Sequence, residues 1–60
     1  MNITRKALEF EKWMKSPLFP EELEKADVED CVLAWADATG IDLEDKLDEI
    51  CYRIVELGIC

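Results

Sequence analysis

The chain offers few groups that could make or break bonds. It has no histidine, and its only serine, Ser16, stands directly before Pro17. A nucleophile needs a neighbouring base, and Cys31, Cys51 and Cys60 have no imidazole to serve them. Carboxylates are plentiful, but helical spacing places them on solvated faces of a chain too small for a substrate cleft. The residue types therefore point away from an enzyme. They point away from a metal centre as well. Three well-separated cysteines without C-x-x-C or histidine do not match a zinc site. The acid-rich run from Asp37 to Glu49 does not match a calcium loop, because Gly40 is at the wrong offset and Ile41 and Leu43 stand where ligands belong. No metal and no cofactor are expected. Cys31 and Cys51 fall on apolar faces and read as small core residues. Cys60 reads as exposed and able to bridge two copies on oxidation.

Recognition is the chemistry that remains. Two rows of acids recur at helical spacing, each around one apolar or aromatic side chain. Asp45, Asp48, Glu49 and Glu56 surround Tyr52, and Glu29, Asp30 and Asp37 surround Leu33. Carboxylates at i, i+3/4 and i+7 stand about 5–10 Å apart on a helix, comparable to phosphates along a nucleic-acid strand. Such a row fits an Arg/Lys groove. An aliphatic or aromatic anchor inside a polar rim is what an interface core wants. The simplest alternative for either row is a solvated helix face.

Helices must position these rows. Leu43, Leu47, Ile50, Ile54 and Leu57 recur at steps of four, three, four and three, one stripe of an amphipathic helix spanning about 42–57. Cys51 and Val55 widen the stripe. Asp42 suits its N-cap, and Gly58 suits a left-handed end with Ile59 reaching back over Ile54. A first helix, about 4–15, carries Ile3, Ala7, Phe10 and Met14 on one side with Trp13 beside them. Asn2 or Thr4 caps it. Pro17 stops it, because the residue before proline is steered out of helical geometry. Leu18 and Phe19 then plug the bundle from below. Pro20 opens a short helix near 20–26. The apolar phase changes at Asp27, which suits an N-cap with Asp30 as its weak capping-box partner. A further helix follows over 28–39 and ends at Gly40. The connection through Thr39, Gly40 and Ile41 is short, so the helices it joins should be packed neighbours. The expected fold is all-α, a single domain over residues 1–60. Three main helices and one short one close around Phe10, Trp13, Trp35, Leu47, Ile50 and Ile54.

Charge narrows the partners. The net charge is −8, from fifteen acids and seven bases. Residues 1–15 hold four bases against two acids, whereas residues 16–60 hold three bases against thirteen acids. An acidic body repels nucleic acid and anionic membranes and favours a basic protein surface. A core of this size rarely supplies more than ~3–5 kcal/mol, so a homo-oligomer would help it. Arg5, Lys12 and Lys15 around Leu8 could meet an acidic face of a second copy. Met1 to Lys15 has no signal-peptide apolar core, and the longest apolar run, Cys31 to Ala36, is far too short to span a bilayer. Three cysteines cannot all pair within one chain and are widely spaced, which suits a reducing compartment, so the cytoplasm is expected.

Ala36, Gly40 and Ile41 also match the A-x-x-x-G-aliphatic turn of DNA-binding helix pairs. The helix that would enter the groove, however, begins Asp42-Leu43-Glu44-Asp45-Lys46-Leu47-Asp48-Glu49, with five acids among eight residues. Phosphates flank a major-groove helix on both sides and demand bases there. The turn reads as structural. As a whole, a short, acidic, helical chain with carboxylate rows such as Asp45/Asp48/Glu49/Glu56 resembles the small phage-encoded inhibitors of host machinery, anti-CRISPR proteins and other nucleic-acid mimics among them. The resemblance is one of class and rests on no diagnostic motif. It implies a partner with a basic groove. The function expected is non-enzymatic blocking of such a surface. The alternatives are a small structural or regulatory homo-oligomer and an accessory subunit of a larger complex.

Overall fold

Asn2 begins the first helix. Its backbone is extended, and its Oδ1 accepts the Arg5 N–H at 3.0 Å. That bond satisfies one of the donors a helix start leaves open. The computed structural model describes residues 2–59, so Cys60 and any bridge through it lie outside the described residues. Helix α1 spans Ile3–Met14. Beyond it Ser16 folds the chain over, with Oγ donating to the Trp13 carbonyl at 2.7 Å and accepting the Leu18 N–H at 3.2 Å. Phe19 returns to the bundle edge-on to Trp13, ring centroids 5.3 Å apart. Leu18 does not join it and is 76% exposed, contrary to expectation. Neighbouring side chains diverge in a tight turn, and only one of the two can face inward.

The short helix expected near 20–26 is a single 3-10 turn, Glu21–Leu23. Leu23, Glu24 and Ala26 each donate to the carbonyl three residues back. So few residues cannot offset the cost of nucleating an α-helix. Pro20 precedes the turn in extended geometry rather than opening it.

Helix α2 spans Val28–Thr39. Asp27 occupies the cap position with an extended backbone, but its side chain makes no capping bond, so no capping box forms with Asp30. Gly40 ends α2 in the left-handed region at φ 72°, and the Ile41 N–H reaches back to the Ala36 carbonyl at 3.0 Å.

Helix α3 spans Leu47–Glu56, five residues shorter at its start than the expected 42–57. Asp42 does not cap a helix. Residues 42–46 form a turn in which Lys46 N–H bonds the Leu43 carbonyl at 2.8 Å and Asp42 Oδ1 accepts the Glu44 N–H at 3.0 Å. Glu44 and Asp45 both sit at positive φ, 50° and 62°. Left-handed geometry costs a residue with a Cβ ~1–2 kcal/mol. With the chain in this conformation Ile41 and Leu43 both lie against the core. The end of α3 is as expected: Gly58 has φ 75°, and Ile59 N–H bonds the Ile54 carbonyl at 3.0 Å.

The core is Ala7 and Phe10 from α1, Cys31, Val32 and Trp35 from α2, and Ile50 and Ile54 from α3. Phe10 meets Trp35 edge-to-face at 5.7 Å. Trp13, Leu47 and Cys51 pack against this cluster while partly exposed. Val55 and Leu57, expected on the apolar stripe, are about half exposed. The seam α3 buries is narrower than its apolar stripe. Ile3 lies beside Asp48, Glu49 and Tyr52, and Met14 lies near Ile59, so α1 and α3 run in the same sense. Val28 lies near Met14, and Trp35 packs on Phe10 one turn back along α1, so α2 runs against them. α3 packs most extensively on α1 and next on α2. Among the described residues, no helix is long and apolar enough to cross a membrane.

Candidate functional site: two carboxylate faces

The α3 face is built on three outward positions of the helix. Asp48, Glu49 and Tyr52, with Ile3 and Arg53, line an open depression where the start of α1 meets α3. All three site residues are exposed, as is Glu56 one turn on. Asp45, expected in the same row, is exposed but sits in the left-handed turn ahead of the helix. It therefore does not extend the row at helical spacing.

Cations next to and within this helix, Lys46 at its N-cap and Arg53 inside it, hold two of these acids. Lys46 Nζ is 3.6 Å from Glu49 Oε1, and Arg53 Nε is 3.1 Å from Glu56 Oε1. Arg53 also donates through a terminal guanidinium nitrogen to Thr4 Oγ1, tying α3 to the first turn of α1. Asp45 and Asp48 have no cation within 4.0 Å among the described residues. Face charge on α3 is thus partly cancelled where it arises.

The α2 face differs. Glu29, Asp30 and Asp37 are all exposed, and Leu33 among them is 46% exposed. No lysine or arginine occurs anywhere in Val28–Thr39. Among the described residues, no base comes within 4.0 Å of the three carboxylates. Glu29, Leu33 and Asp37 follow one another four residues apart, about 6 Å of helix rise per step. The opposite sides of α2 hold Cys31, Val32, Trp35 and Ala36 in the core, so its orientation is fixed.

The bases of α1 are mostly occupied at home. Arg5 and Lys6 flank Glu9 at 3.9 and 3.1 Å, and Lys15 lies 3.6 Å from Glu11. Lys12 has no acid within 4.0 Å among the described residues, and Leu8 is 51% exposed nearby on the helix. Pairs of this kind at a helix surface, here partly exposed, contribute little to stability, but they cancel field locally.

The expected site residues thus form two groups. Asp48, Glu49, Tyr52 and Glu56 share one helix face, Glu29, Asp30, Leu33 and Asp37 share another, and Asp45 belongs to neither. Reading the acids alone missed Arg53 and Lys46 as their partners. The i, i+3 spacing of Lys46–Glu49 and Arg53–Glu56 carries that signal in the sequence. Ile3 in the depression carries none. Among the described residues, no group of three or more His, Cys, Asp or Glu side chains could hold a metal ion. The turn at Gly40 leads into residues 42–46 rather than directly into a second helix, so the helix-pair spacing read from Ala36, Gly40 and Ile41 is not kept. In comparisons with known proteins, no family model, no curated protein and no solved structure matches the chain.

Proposed function

We propose that this chain acts by binding, without catalysis, and that it covers a basic, nucleic-acid-binding surface on another protein in the cytoplasm. One observation carries the reading. Helix α2 presents Glu29, Asp30 and Asp37 around Leu33 with no base on the helix to cancel them. A rigid, unneutralised row of carboxylates around a half-exposed leucine offers a basic groove both charge and an apolar anchor. Asp48 with Tyr52 on α3 is the second contact, weaker because its neighbours Glu49 and Glu56 are already paired. This is the mode of action of nucleic-acid mimics such as the phage-encoded inhibitors the chain resembles.

The test is capture from host lysate at low salt, followed by elution with rising salt and identification of what elutes. The partner should be basic, should leave steeply as salt rises, and should be displaced by its own nucleic acid. The Asp30→Lys/Asp37→Lys variant should capture nothing while keeping its far-ultraviolet circular dichroism. Salt-insensitive capture, or capture undiminished by the double reversal, would end this reading. The exposure of Leu8 beside unpaired Lys12 favours a second reading, a homo-oligomer through α1. Sedimentation at two salt concentrations decides it, since a monomer at both removes it.

A further inference from the structure

We propose that Asp42–Lys46 is a two-state segment that can add one turn to the start of α3. The sequence of these five residues and their conformation disagree. They contain no glycine, proline or β-branched residue. Leu43 stands four before Leu47, in phase with Ile50 and Ile54, and acids at 44 and 45 suit the positive end of a helix. The backbone nevertheless places Glu44 and Asp45 in the left-handed region, where neither is a glycine. As it stands, α3 starts from Lys46, whose side chain makes no capping bond and whose charge opposes the helix dipole.

The two conformations are close in connectivity. Asp42 Oδ1 already accepts the Glu44 N–H at 3.0 Å. In a helix capped by Asp42, that same N–H is the second helical donor, one of those an N-cap carboxylate holds. The cap bond is therefore common to both states, and conversion needs Glu44 and Asp45 to move from left-handed to right-handed geometry. Glu44, Asp45 and Lys46 are exposed, so none of these three side chains has to leave the core in the change. The Ile41 N–H keeps its bond to the Ala36 carbonyl. Gly40 and Ile41 then form the link, a length that antiparallel helices use. The packing of Ile41 and Leu43 holds the turn, and an uncapped α3 and two left-handed residues oppose it.

The added turn would place Asp45 three residues before Asp48 on the same helix face. A basic surface on α3 then meets a longer row and favours the extended state; this use of the segment rests on the proposed function, whereas the two states do not. Two variants bias them oppositely. Glu44→Ala/Asp45→Ala favours the helix, and Glu44→Gly/Asp45→Gly favours the turn, with the glycines lowering the helical population about fivefold per residue relative to alanine. Carbon-13 α shifts and HN–Hα couplings at 43–46 read the result. The alanine pair should give helical values there and the glycine pair those of the turn. An alanine pair that keeps left-handed values at 44 and 45 overturns the proposal. Titration of the unaltered chain with a deca-arginine peptide at low salt should move the 43–46 signals toward those of the alanine pair. Binding without that movement removes the coupling between segment and site. Absence of binding counts against the proposed function, while the alanine and glycine pairs still decide the two states.

Discussion

On α2, Glu29, Asp30 and Asp37 face solvent with no base on their helix. On α3, Glu49 and Glu56 each have a base within 4.0 Å, Lys46 at the helix cap and Arg53 on the helix itself. The two faces look alike when acids are counted and differ once neighbours three residues away are included. Pairs of this sort at a helix surface, half-buried as Arg53 is, add only about 1 kcal/mol or less to stability. Their larger effect is on what the surface offers a partner, because a carboxylate already facing a guanidinium has less to gain from a second one. Net charge is a property of the whole chain. Field at a face depends on where the few bases fall.

The most severe way to break the comparison is to remove both faces together. Trp35 is buried on the inner side of α2 and packs on Phe10. Trp35→Ala should cost about 3–5 kcal/mol, which is roughly the whole stability expected of a core this small. Circular dichroism should report a largely unfolded chain at 25 °C. Binding that survived would have to come from a linear segment, not from a folded face. Next in size, the two faces can be set against each other in one assay. Asp30→Lys/Asp37→Lys should weaken binding to a basic partner by roughly tenfold per reversed charge, about 1.4 kcal/mol each. Asp48→Lys/Glu56→Lys should cost several-fold less. Equal losses measured by calorimetry would erase the distinction between them.

A smaller effect concerns what holds the α2 face at its end. A Cβ at Gly40 would meet nothing within 4 Å, so Gly40→Ala is strained by its dihedral alone. It should lower stability by about 1–2 kcal/mol in thermal or urea unfolding, leaving binding affinity unchanged once folded protein is counted. Unchanged stability would mean the chain ends α2 in some other way. The smallest expected effect sharpens the contrast directly. Arg53→Met removes the cation beside Glu56 and the bond to Thr4, at about 0.5–1.5 kcal/mol of stability. The freed carboxylate should make α3 resemble α2, and affinity for a basic peptide should rise slightly at low salt.

The helices were legible because their signals were local and agreed. Asn2 caps α1, Gly40 and Gly58 end α2 and α3 in left-handed geometry, and Phe10, Trp35, Ile50 and Ile54 are buried where apolar spacing placed them. The segment 42–46 was not legible because its local signals also agreed, on a helix. Contacts from Ile41 and Leu43 to the distant core decide otherwise, and no window of sequence contains them. Leu18 departed from expectation in the same way: it and Phe19 are both apolar and adjacent, and only Phe19 meets the ring of Trp13. For the candidate site, the α2 face could be read directly, because all its residues lie on one unbroken helix. The α3 face could be read only in part, because its register held while Asp45 was carried out of it by the turn. Ile3 joins the α3 depression through tertiary packing alone.

The most extensive helix contact, α1 against α3, joins the two ends of the chain. Arg53 and Thr4 meet across most of the chain. Closing so long a loop must come before that contact can reward either helix, which makes assembly slower than for a bundle built of sequential hairpins. It also makes the chain cooperative. Neither α1–α2 nor α2–α3 alone retains the main packing surface, so refolding should proceed in one step with both end helices ordering together, and a fragment lacking either end should show little residual structure.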